Sequence, residues 1–346
     1  MHRALMDEMR MQRNYPDGEK LETLYFGGGT PSQYAPQKLQ EIIETAEKLF
    51  GLNPDPEITV EANPDDINEE WLQKLKQTKV NRLSIGIQSL HNSDLEYLNR
   101  VHSGEQAKSA VERARKYGFR NLSIDFIYGF PTLTDEKWLA NLQWAVAQKV
   151  PHISAYALTV EPGTALDLFI RKGKYRPVSD ESAERHFMLM SEFLAARGYA
   201  HYEISNLALP GKYARHNTAY WSGEKYLGIG PSAHSFDGIS RQWNVASIKG
   251  YIEAIGKGKP DFQREVLIRT QRLNEYIMTS LRTMWGMDLA HLEKEFGKET
   301  VSKVTATMAP YKNSEFLTFD GNKVILTPKG KLFADRIAGD LFVEGD

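Results

Sequence analysis

The chain has 346 residues, of which 41% are hydrophobic and 25% charged, a composition typical of globular proteins with one large domain or two ordinary ones. Its 43 lysines and arginines nearly balance its 45 aspartates and glutamates, which argues against a nucleic-acid tract or a polybasic membrane patch. The absence of cysteine excludes disulfides, thiolate zinc sites and cysteine nucleophiles within this chain. We therefore expect a cytoplasmic protein that acts on small molecules and has no transmembrane segment.

The first half of the chain alternates predicted strands with predicted helices. The predicted helices are 2–13, 36–50, 68–77, 93–99, 104–117 and 135–148, and the predicted strands are 23–26, 57–62, 82–88, 122–128 and 152–159. Strands rich in apolar residues that alternate with helices indicate a parallel sheet covered by helices. Five such strands are too few for a complete (β/α)8 barrel.

The second half predicts a helix at 179–197 with Ser179 at its start, a strand at 201–208, and a helix followed by a linker at 249–263. This linker divides the chain into predicted domains 1–248 and 264–346. The second domain contains three predicted helices (275–285, 288–296 and 301–309) and a hairpin that turns at Asp320 and Gly321. Helices and a hairpin in this order indicate a small winged-helix-like unit. Its balanced charge argues against nucleic-acid binding.

Three consecutive glycines, Gly27 to Gly29, end the first predicted strand just before Thr30. Without Cβ atoms, this turn lets the backbone approach a ligand closely while its N–H groups face a carboxylate, an amine or a phosphate. The sequence therefore predicts a binding loop here. A flexible strand-to-helix turn without a ligand is the alternative.

Polar residues also lie at or near the ends of later predicted strands. They are Glu61, Gln88 and Asp125, and Arg100 follows the Gln88 strand by one short helix. Ligands of parallel α/β sheets bind beyond the carboxyl ends of the strands. A carboxylate there suits an ammonium group or a ribose diol, and Arg100 suits a carboxylate. Taken singly, Glu61 or Asp125 could be a helix cap or a surface carboxylate, and as a pair they could serve a hydrolytic barrel.

Several segments of the chain are similar, in order, to those of one protein family. They are LYFGGGTPS (24–32), VEANP (60–64), RLSIGIQSLH (82–91) followed by LNRVH (98–102), IDFIYGFP (124–131), HNTAYW (216–221) and YLGIGPSAHSF (226–236). Together they resemble the oxygen-independent coproporphyrinogen III oxidase (HemN) family of radical S-adenosylmethionine (SAM) proteins, most closely its shorter HemW-type members, described as haem chaperones. The resemblance implies an α/β fold: a partial (β/α)6-type radical SAM barrel with parallel strands and a small C-terminal α+β domain.

The resemblance also implies two sets of ligand contacts. The implied SAM contacts are Gly28, Gly29, Thr30, Glu61, Gln88, Arg100, Asp125 and Ala157. The implied haem contacts are His216, Asn217, Tyr220 and Trp221, with His234 as a candidate second ligand. A neutral imidazole beside aromatic rings is a sensible axial ligand and porphyrin platform. The alternatives are a His216 that only packs against its neighbours and a His234 that only caps a glycine-rich turn.

Members of the family bind a [4Fe–4S] cluster through a CxxxCxxC motif that follows the first barrel strand. Because this sequence has no cysteine, we expect that about one βα unit of a longer protein precedes it, the alternative being a natural cluster-free homologue. The cluster is then expected in the full-length protein only, and this chain should be inactive in radical chemistry. The favoured function is SAM binding together with haem delivery to an acceptor protein. The alternative is oxidative decarboxylation of coproporphyrinogen III in haem biosynthesis.

Overall fold

A computed structural model describes residues 1–312 and 314–344, and a seven-stranded sheet lies at its centre. The sheet order is β1-β2-β3-β4-β5-β7-β6, in which five parallel strands are followed by two strands that pair antiparallel. The strands are β1 (Leu21–Phe26), β2 (Leu52–Ala62), β3 (Arg82–Gln88), β4 (Asn121–Tyr128), β5 (His152–Ala157), β6 (Ala200–Glu203) and β7 (Asn206–Ala208). The sheet curls into a half-barrel, which confirms the predicted partial barrel. The strand predicted at 201–208 is instead the hairpin β6–β7.

Helices of this region are α1 (His2–Met11), α2 (Pro36–Phe50), α3 (Glu69–Leu75), α4 (Asn92–Tyr97), α5 (Gly104–Lys116), α6 (Asp135–Ala147), α7 (Ala165–Arg171) and α8 (Asp180–Ala195). Several begin at a side chain that accepts a backbone N–H of the first turn. Asn68 caps α3, Ser103 forms a capping box with Gln106, and Thr134 caps α6. Ser179 caps α8 as predicted, by accepting the N–H of Ser182.

The two faces of the parallel strands differ in polarity. Leu83, Ile85 and Ile87 of β3 are fully buried and belong to the main apolar core. The alternate residues of the same strand are polar or glycine, and they line a cavity inside the half-barrel. Because successive strand side chains point to opposite faces, every parallel strand contributes one apolar face to the core. The other face builds a polar interior.

A second, antiparallel sheet follows in the order β10-β9-β8. The elements of this segment are α9 (Arg215–Trp221), β8 (His234–Phe236), β9 (Ser240–Asn244), α10 (Ile248–Gly256) and β10 (Phe262–Val266). Residues 249–263 therefore hold most of a helix, as predicted, and the first two residues of β10, which pair with β9. Only 257–261 are irregular, so the segment is shorter as a linker than the sequence suggests. The domain boundaries drawn there remain a prediction.

The C-terminal part has its own apolar core and a third sheet, β11-β13-β12. Its elements are α11 (Arg269–Leu281), β11 (Met287–Asp288), α12 (Leu289–Thr307), β12 (Leu317–Asp320), β13 (Lys323–Leu326), α13 (Pro328–Leu332) and α14 (Ala334–Asp340). The predicted hairpin is confirmed, but Asp320 pairs with Lys323, so the turn is at Gly321 and Asn322. The helices predicted at 288–296 and 301–309 form α12, interrupted at Gly297, whose φ is 80°. Helices α13 and α14 were not predicted from the sequence.

Strand β1 lies at the edge of the main sheet, where it pairs with β2. The N–H and C=O groups on the outer side of an edge strand lack a ladder partner and open more readily than those of a central strand. We therefore expect faster hydrogen exchange at Leu24–Phe26 than at Ile124–Ile127 of the central strand β4, measured on the monomer. Equal protection of the two segments would contradict this expectation.

Candidate functional site

A cavity of about 380 Å³ occupies the inside of the half-barrel. Inward-facing side chains of the parallel strands form its wall, the loops after β1 and β2 form part of its mouth, and the start of α9 closes one side. The lining residues are Tyr25, Gly29, Thr30, Pro31, Ser32, Thr59, Glu61, Ala62, Asn63, Arg82, Ser84, Gly86, Gln88, Ser123, Asp125, Ile127, His152, Ser154, Tyr156, Ala214 and Asn217.

The cavity brings together about half of the residues that the sequence analysis singled out. Those that line it are Gly29, Thr30, Glu61, Gln88, Asp125 and Asn217. Gly28 lies beside it, because its N–H donates to Glu61. The remaining candidates, which are not among the lining residues, are Arg100, Ala157, His216, Tyr220, Trp221 and His234.

Each glycine of the loop after β1 has a different reason for lacking a side chain. A Cβ on Gly27 would lie 2.5 Å from the Tyr25 ring and 2.8 Å from a Glu61 oxygen. Gly28 has a φ of 77°, which side-chain-bearing residues rarely adopt. A Cβ on Gly29 would meet nothing within 4 Å. Neither packing nor backbone conformation therefore requires glycine at position 29, where the backbone is open to the cavity.

Glu61 ties this glycine loop to the sheet. One of its carboxylate oxygens accepts the Tyr25 hydroxyl at 2.7 Å, and the other accepts the Gly28 N–H at 3.3 Å. Burial and the adjacent Glu61 carboxylate raise the pKa of Tyr25, so the phenol stays protonated and donates. The longer Gly28 bond is the weaker one, and a ligand amine at the mouth could share the same carboxylate oxygen.

Gln88 ends β3 with a φ of 59°. A left-handed backbone is uncommon for a residue other than glycine, and such strain often accompanies a functional site. The strand pairing with β4 also shifts register between Ile85 and Gln88. A Cβ on Gly86 would lie 2.8 Å from the Gln88 amide nitrogen, so Gly86 leaves the space in which this side chain lies.

Asp125 lies in the middle of the cavity wall. Ser84 Oγ is 3.2 Å from each of its carboxylate oxygens. Burial raises the pKa of Asp125 to about 6, and the nearby Glu61 carboxylate adds to the effect, while hydrogen bonds from Ser154 and Ser84 oppose it. A carboxyl group with this pKa changes charge just below neutral pH and is a strong candidate for a ligand contact.

Arg100 and Ala157 occupy less informative places. Arg100 follows Asn99, whose φ is 53°, and is exposed beyond α4, although partial burial lowers the pKa of its guanidinium. Ala157 ends β5 and is exposed, whereas its neighbour Tyr156 lines the cavity. Their implied contacts with SAM remain predictions.

His216 is held by contacts on every side. Its Nδ1 lies 2.7 Å from Thr23 Oγ1 and its Nε2 lies 3.2 Å from Tyr220 Oη, while its backbone N–H donates to Glu57. Its ring stacks on Tyr25 with centroids 4.8 Å apart and planes 13° apart. Burial lowers the pKa of His216 to about 4, so the imidazole is neutral at physiological pH.

The other haem candidates face different surroundings. Tyr220 is exposed and makes an edge-to-face contact with Tyr226. Trp221 lies under the Arg282 guanidinium of the C-terminal part, 5.0 Å from ring centroid to Cζ. His234 is exposed on β8 and stacks on Trp243. Their haem contacts, like that of His216, remain predictions.

The lower part of the cavity was not predicted from the sequence. The missed lining residues include Tyr25, Thr59, Arg82, Ser84, Ser123, His152 and Ser154. His152 is fully buried, with Ser123 Oγ 2.7 Å from its Nδ1 and Tyr202 Oη 2.7 Å from its Nε2, and burial lowers its pKa well below the usual value. The strict alternation of polar and apolar residues in RLSIGIQ and NLSIDF was the signal that could have revealed this polar interior.

Among the described residues, no group of three or more histidine, cysteine, aspartate or glutamate side chains is arranged to hold a metal ion. Within the same part of the chain, no helix combines the length and the apolar character that a membrane crossing requires.

Comparisons with known proteins agree with this architecture. Residues 3–145 match the radical SAM superfamily and residues 267–333 match the HemN C-terminal domain. The chain is 34% identical over 339 residues to the protein named heme chaperone HemW of Mycobacterium tuberculosis, covering 98% of this chain and 85% of that protein. It is 32% identical over 322 residues to the HemW of Bacillus subtilis, covering 92% and 85% respectively.

Among solved structures, coproporphyrinogen III oxidase (HemN) from Escherichia coli matches with a TM-score of 0.83. This match has 22% sequence identity and covers 98% of this chain and 82% of that one, so it supports the fold alone. The half-barrel and its glycine loop agree with the family matches and with the relatives above 30% identity. This chain therefore belongs to the HemW-type branch of the radical SAM superfamily.

Proposed function

We propose that this protein binds SAM in the half-barrel cavity and carries haem to an acceptor protein, a role supported by its relatives, which are named heme chaperones. The observation that carries the proposal is the glycine loop tied to Glu61 at the mouth of a polar cavity that α9 closes. A cytoplasmic location and the identity of the acceptor are further predictions.

The donors and acceptors around the cavity suit the chemistry of SAM. SAM offers an ammonium and a carboxylate at one end and a ribose diol and an adenine at the other. Glu61 would accept from the ammonium, and the open backbone at Gly29 would approach the carboxylate. Asp125, farther inside, would accept from the ribose hydroxyls when it is ionised. Gln88 would supply an amide between them.

The residues present do not fit an iron–sulfur cluster. The 346 residues contain no cysteine, and thiolates are the ligands that such clusters require. The residues of this chain therefore support no radical step. The coproporphyrinogen oxidation that the sequence analysis keeps as an alternative would need a cluster from outside these residues.

Anaerobic reconstitution with iron and sulfide is expected to give no stoichiometric cluster on this chain. Metal and sulfide analysis, together with the absorption spectrum, measures the result. A yield of about four irons per chain with a cluster spectrum would contradict the expectation.

The proposed haem contact rests on His216 and its surroundings. Its imidazole is neutral at physiological pH, which is the form that ligates iron. Tyr220, its partner at Nε2, is exposed. The aromatic side chains of Tyr220 and Tyr226 would supply an apolar surface beside the porphyrin.

Haem titration beside a coproporphyrinogen turnover assay tests the proposal. We expect stoichiometric haem binding and no conversion of coproporphyrinogen III. Turnover without haem binding would favour the alternative function. SAM titration of the same sample separates the two halves of the proposal, because SAM should bind in either case.

A further inference from the structure

We propose that the floor of the half-barrel cavity is a binding site for a carboxylate group, with Arg82 and Thr59 as its donors. Both residues line the cavity and both are nearly fully buried, at 2% and 1% exposure. They lie on neighbouring strands in direct register, so their side chains are adjacent. None of the contacts implied for SAM or haem uses them.

Arg82 is a buried cation without a direct ion-pair partner among the described residues, although its charge acts on the Asp125 carboxyl and lowers the pKa of that group. Its Nη1 donates to Asn121 Oδ1 at 2.6 Å. Among residues 1–312 and 314–344, no aspartate or glutamate oxygen lies within 4.0 Å of its guanidinium. A guanidinium has five N–H donors, and burying it without an anionic partner is costly. An anionic group entering the cavity would remove this cost.

Thr59 supplies the second, independent observation. Its hydroxyl oxygen is buried and has no hydrogen-bond partner in the described part of the chain. Buried polar atoms almost always have a partner, so an unpaired one inside a cavity points to a ligand or to water. By contrast, the neighbouring His152 has a partner at each ring nitrogen, Ser123 and Tyr202, and neither nitrogen is left free.

The charges of the cavity favour a monoanion. The guanidinium of Arg82 offers the planar pair of donors that matches a carboxylate, and the Thr59 hydroxyl adds a third donor to the same group. Toward the mouth, Glu61 and Asp125 line the same cavity and would repel a second negative charge. A dianionic phosphate is therefore a poorer fit than the carboxylate arm of a ligand that reaches down from the mouth.

Propionate is the probe, with propionamide as its uncharged counterpart and chloride as the control for ionic strength. We expect propionate to raise the midpoint of thermal unfolding by about 1–3 °C at ten times its dissociation constant, and propionamide to have no such effect. Saturation-transfer NMR should show propionate in contact with the protein. These readouts are independent of SAM and haem, so failure of this inference is distinguishable from failure of the proposed function.

Substitutions at Arg82 and Thr59 test whether the stabilisation by propionate arises at the proposed site. Arg82→Met should abolish the difference between propionate and propionamide, and Thr59→Val should weaken propionate binding several-fold while leaving the fold intact, because its hydroxyl has no partner to lose. Arg120→Met, at an exposed arginine outside the cavity, is the matched control and should leave the effect unchanged. If Arg82→Met fails to fold, Arg82→Lys and Thr59→Val carry the test.

Two results would overturn the proposal. One is a response of the parent protein to propionate that is no larger than its response to propionamide, or that persists in Arg82→Met and Thr59→Val. The other is equal stabilisation by inorganic phosphate, which would show that the site is not specific for carboxylates.

Discussion

Replacing Asp125 by asparagine is expected to make the protein more stable at pH 8 and, at the same time, a poorer binder of SAM. Burial raises the pKa of this carboxyl group to about 6, so ionised Asp125 is unfavourable in the folded protein above that pH. Asparagine keeps the shape and some hydrogen bonding of the side chain but removes the charge. Ser84, which donates to both carboxylate oxygens, keeps one acceptor in the variant.

The pH dependence of stability has a definite sign. Between the ordinary pKa of 3.8 and about 6, the folded protein binds more protons at Asp125 than the unfolded chain does. The free energy of unfolding therefore falls as pH rises through this window. A shift of one pKa unit corresponds to about 1.4 kcal/mol. The raised pKa of Asp125 therefore lowers the free energy of unfolding above pH 6 by on the order of 3 kcal/mol at most. The stability gain of Asp125→Asn should be present at pH 8 and absent at pH 4.

The two measurements are chemical unfolding at pH 4 and pH 8 and SAM titration at pH 8. Losing a charge-assisted hydrogen bond is expected to weaken SAM binding by about 10- to 100-fold. Asp335→Asn, at an exposed carboxylate of α14, is the control and should change neither quantity by much. Equal SAM affinity in Asp125→Asn and the parent would remove Asp125 from the proposed site, and loss of stability at pH 8 would contradict the raised pKa.

Most strands of the half-barrel could be predicted from local runs of apolar and β-branched residues. Strand β3 was predicted with its observed bounds, Arg82–Gln88, because its β-branched and apolar residues lie between a lysine-rich turn and a polar loop. Strand β2 begins at Leu52, five residues earlier than predicted. The stretch NPDPE lacks strand propensity, so it was not predicted as a strand, and its extended backbone is accompanied by pairing of β2 with β1 that begins at Leu52. Tertiary pairing of this kind leaves no trace in local propensity.

The inner part of the site was not predicted for a related reason, although the alternation of polar and apolar residues in β3 and β4 indicates a polar face. Residues at the ends of strands could be assigned to the mouth, since parallel strands end at one edge of a sheet. Arg82 and His152 stand at the beginnings of their strands, and charged or polar residues there are more often exposed on the opposite rim. The register of β2 with β3 and of β4 with β5 determines which face of each strand points inward. This register places the side chains of Arg82 and His152 in the cavity.

His216→Ala is expected to have the second large effect, on haem and on stability together. The substitution removes an imidazole that stacks on Tyr25 and meets Thr23 and Tyr220 through its two ring nitrogens. The lost stacking and hydrogen bonds should lower the free energy of unfolding by about 1–3 kcal/mol. If His216 is the axial ligand, the haem absorption band should also shift and haem affinity should fall.

The geometry indicates which nitrogen would bind the iron. The Nδ1 contact with Thr23 is the shorter one, at 2.7 Å, and it involves a half-buried strand residue. The Nε2 contact with Tyr220 is longer, at 3.2 Å, and its partner is exposed. Ligation through Nε2 would keep Thr23 as the outer partner that fixes the orientation of the imidazole. Tyr220→Phe, which frees Nε2, should therefore bind haem at least as tightly as the parent.

The contacts of His216 connect helix α9 to the glycine loop after β1, the proposed SAM loop. His216 stacks on Tyr25, whose hydroxyl donates to Glu61, which in turn accepts the Gly28 N–H. Loss of the ring should loosen this chain of contacts and weaken SAM binding a few-fold, whereas His234→Ala on exposed β8 should leave SAM binding unchanged. Haem and SAM titrations with thermal unfolding of all three variants are the measurements. If His216→Ala keeps the haem spectrum and affinity while its stability falls, His216 has a packing role and His234 becomes the candidate ligand.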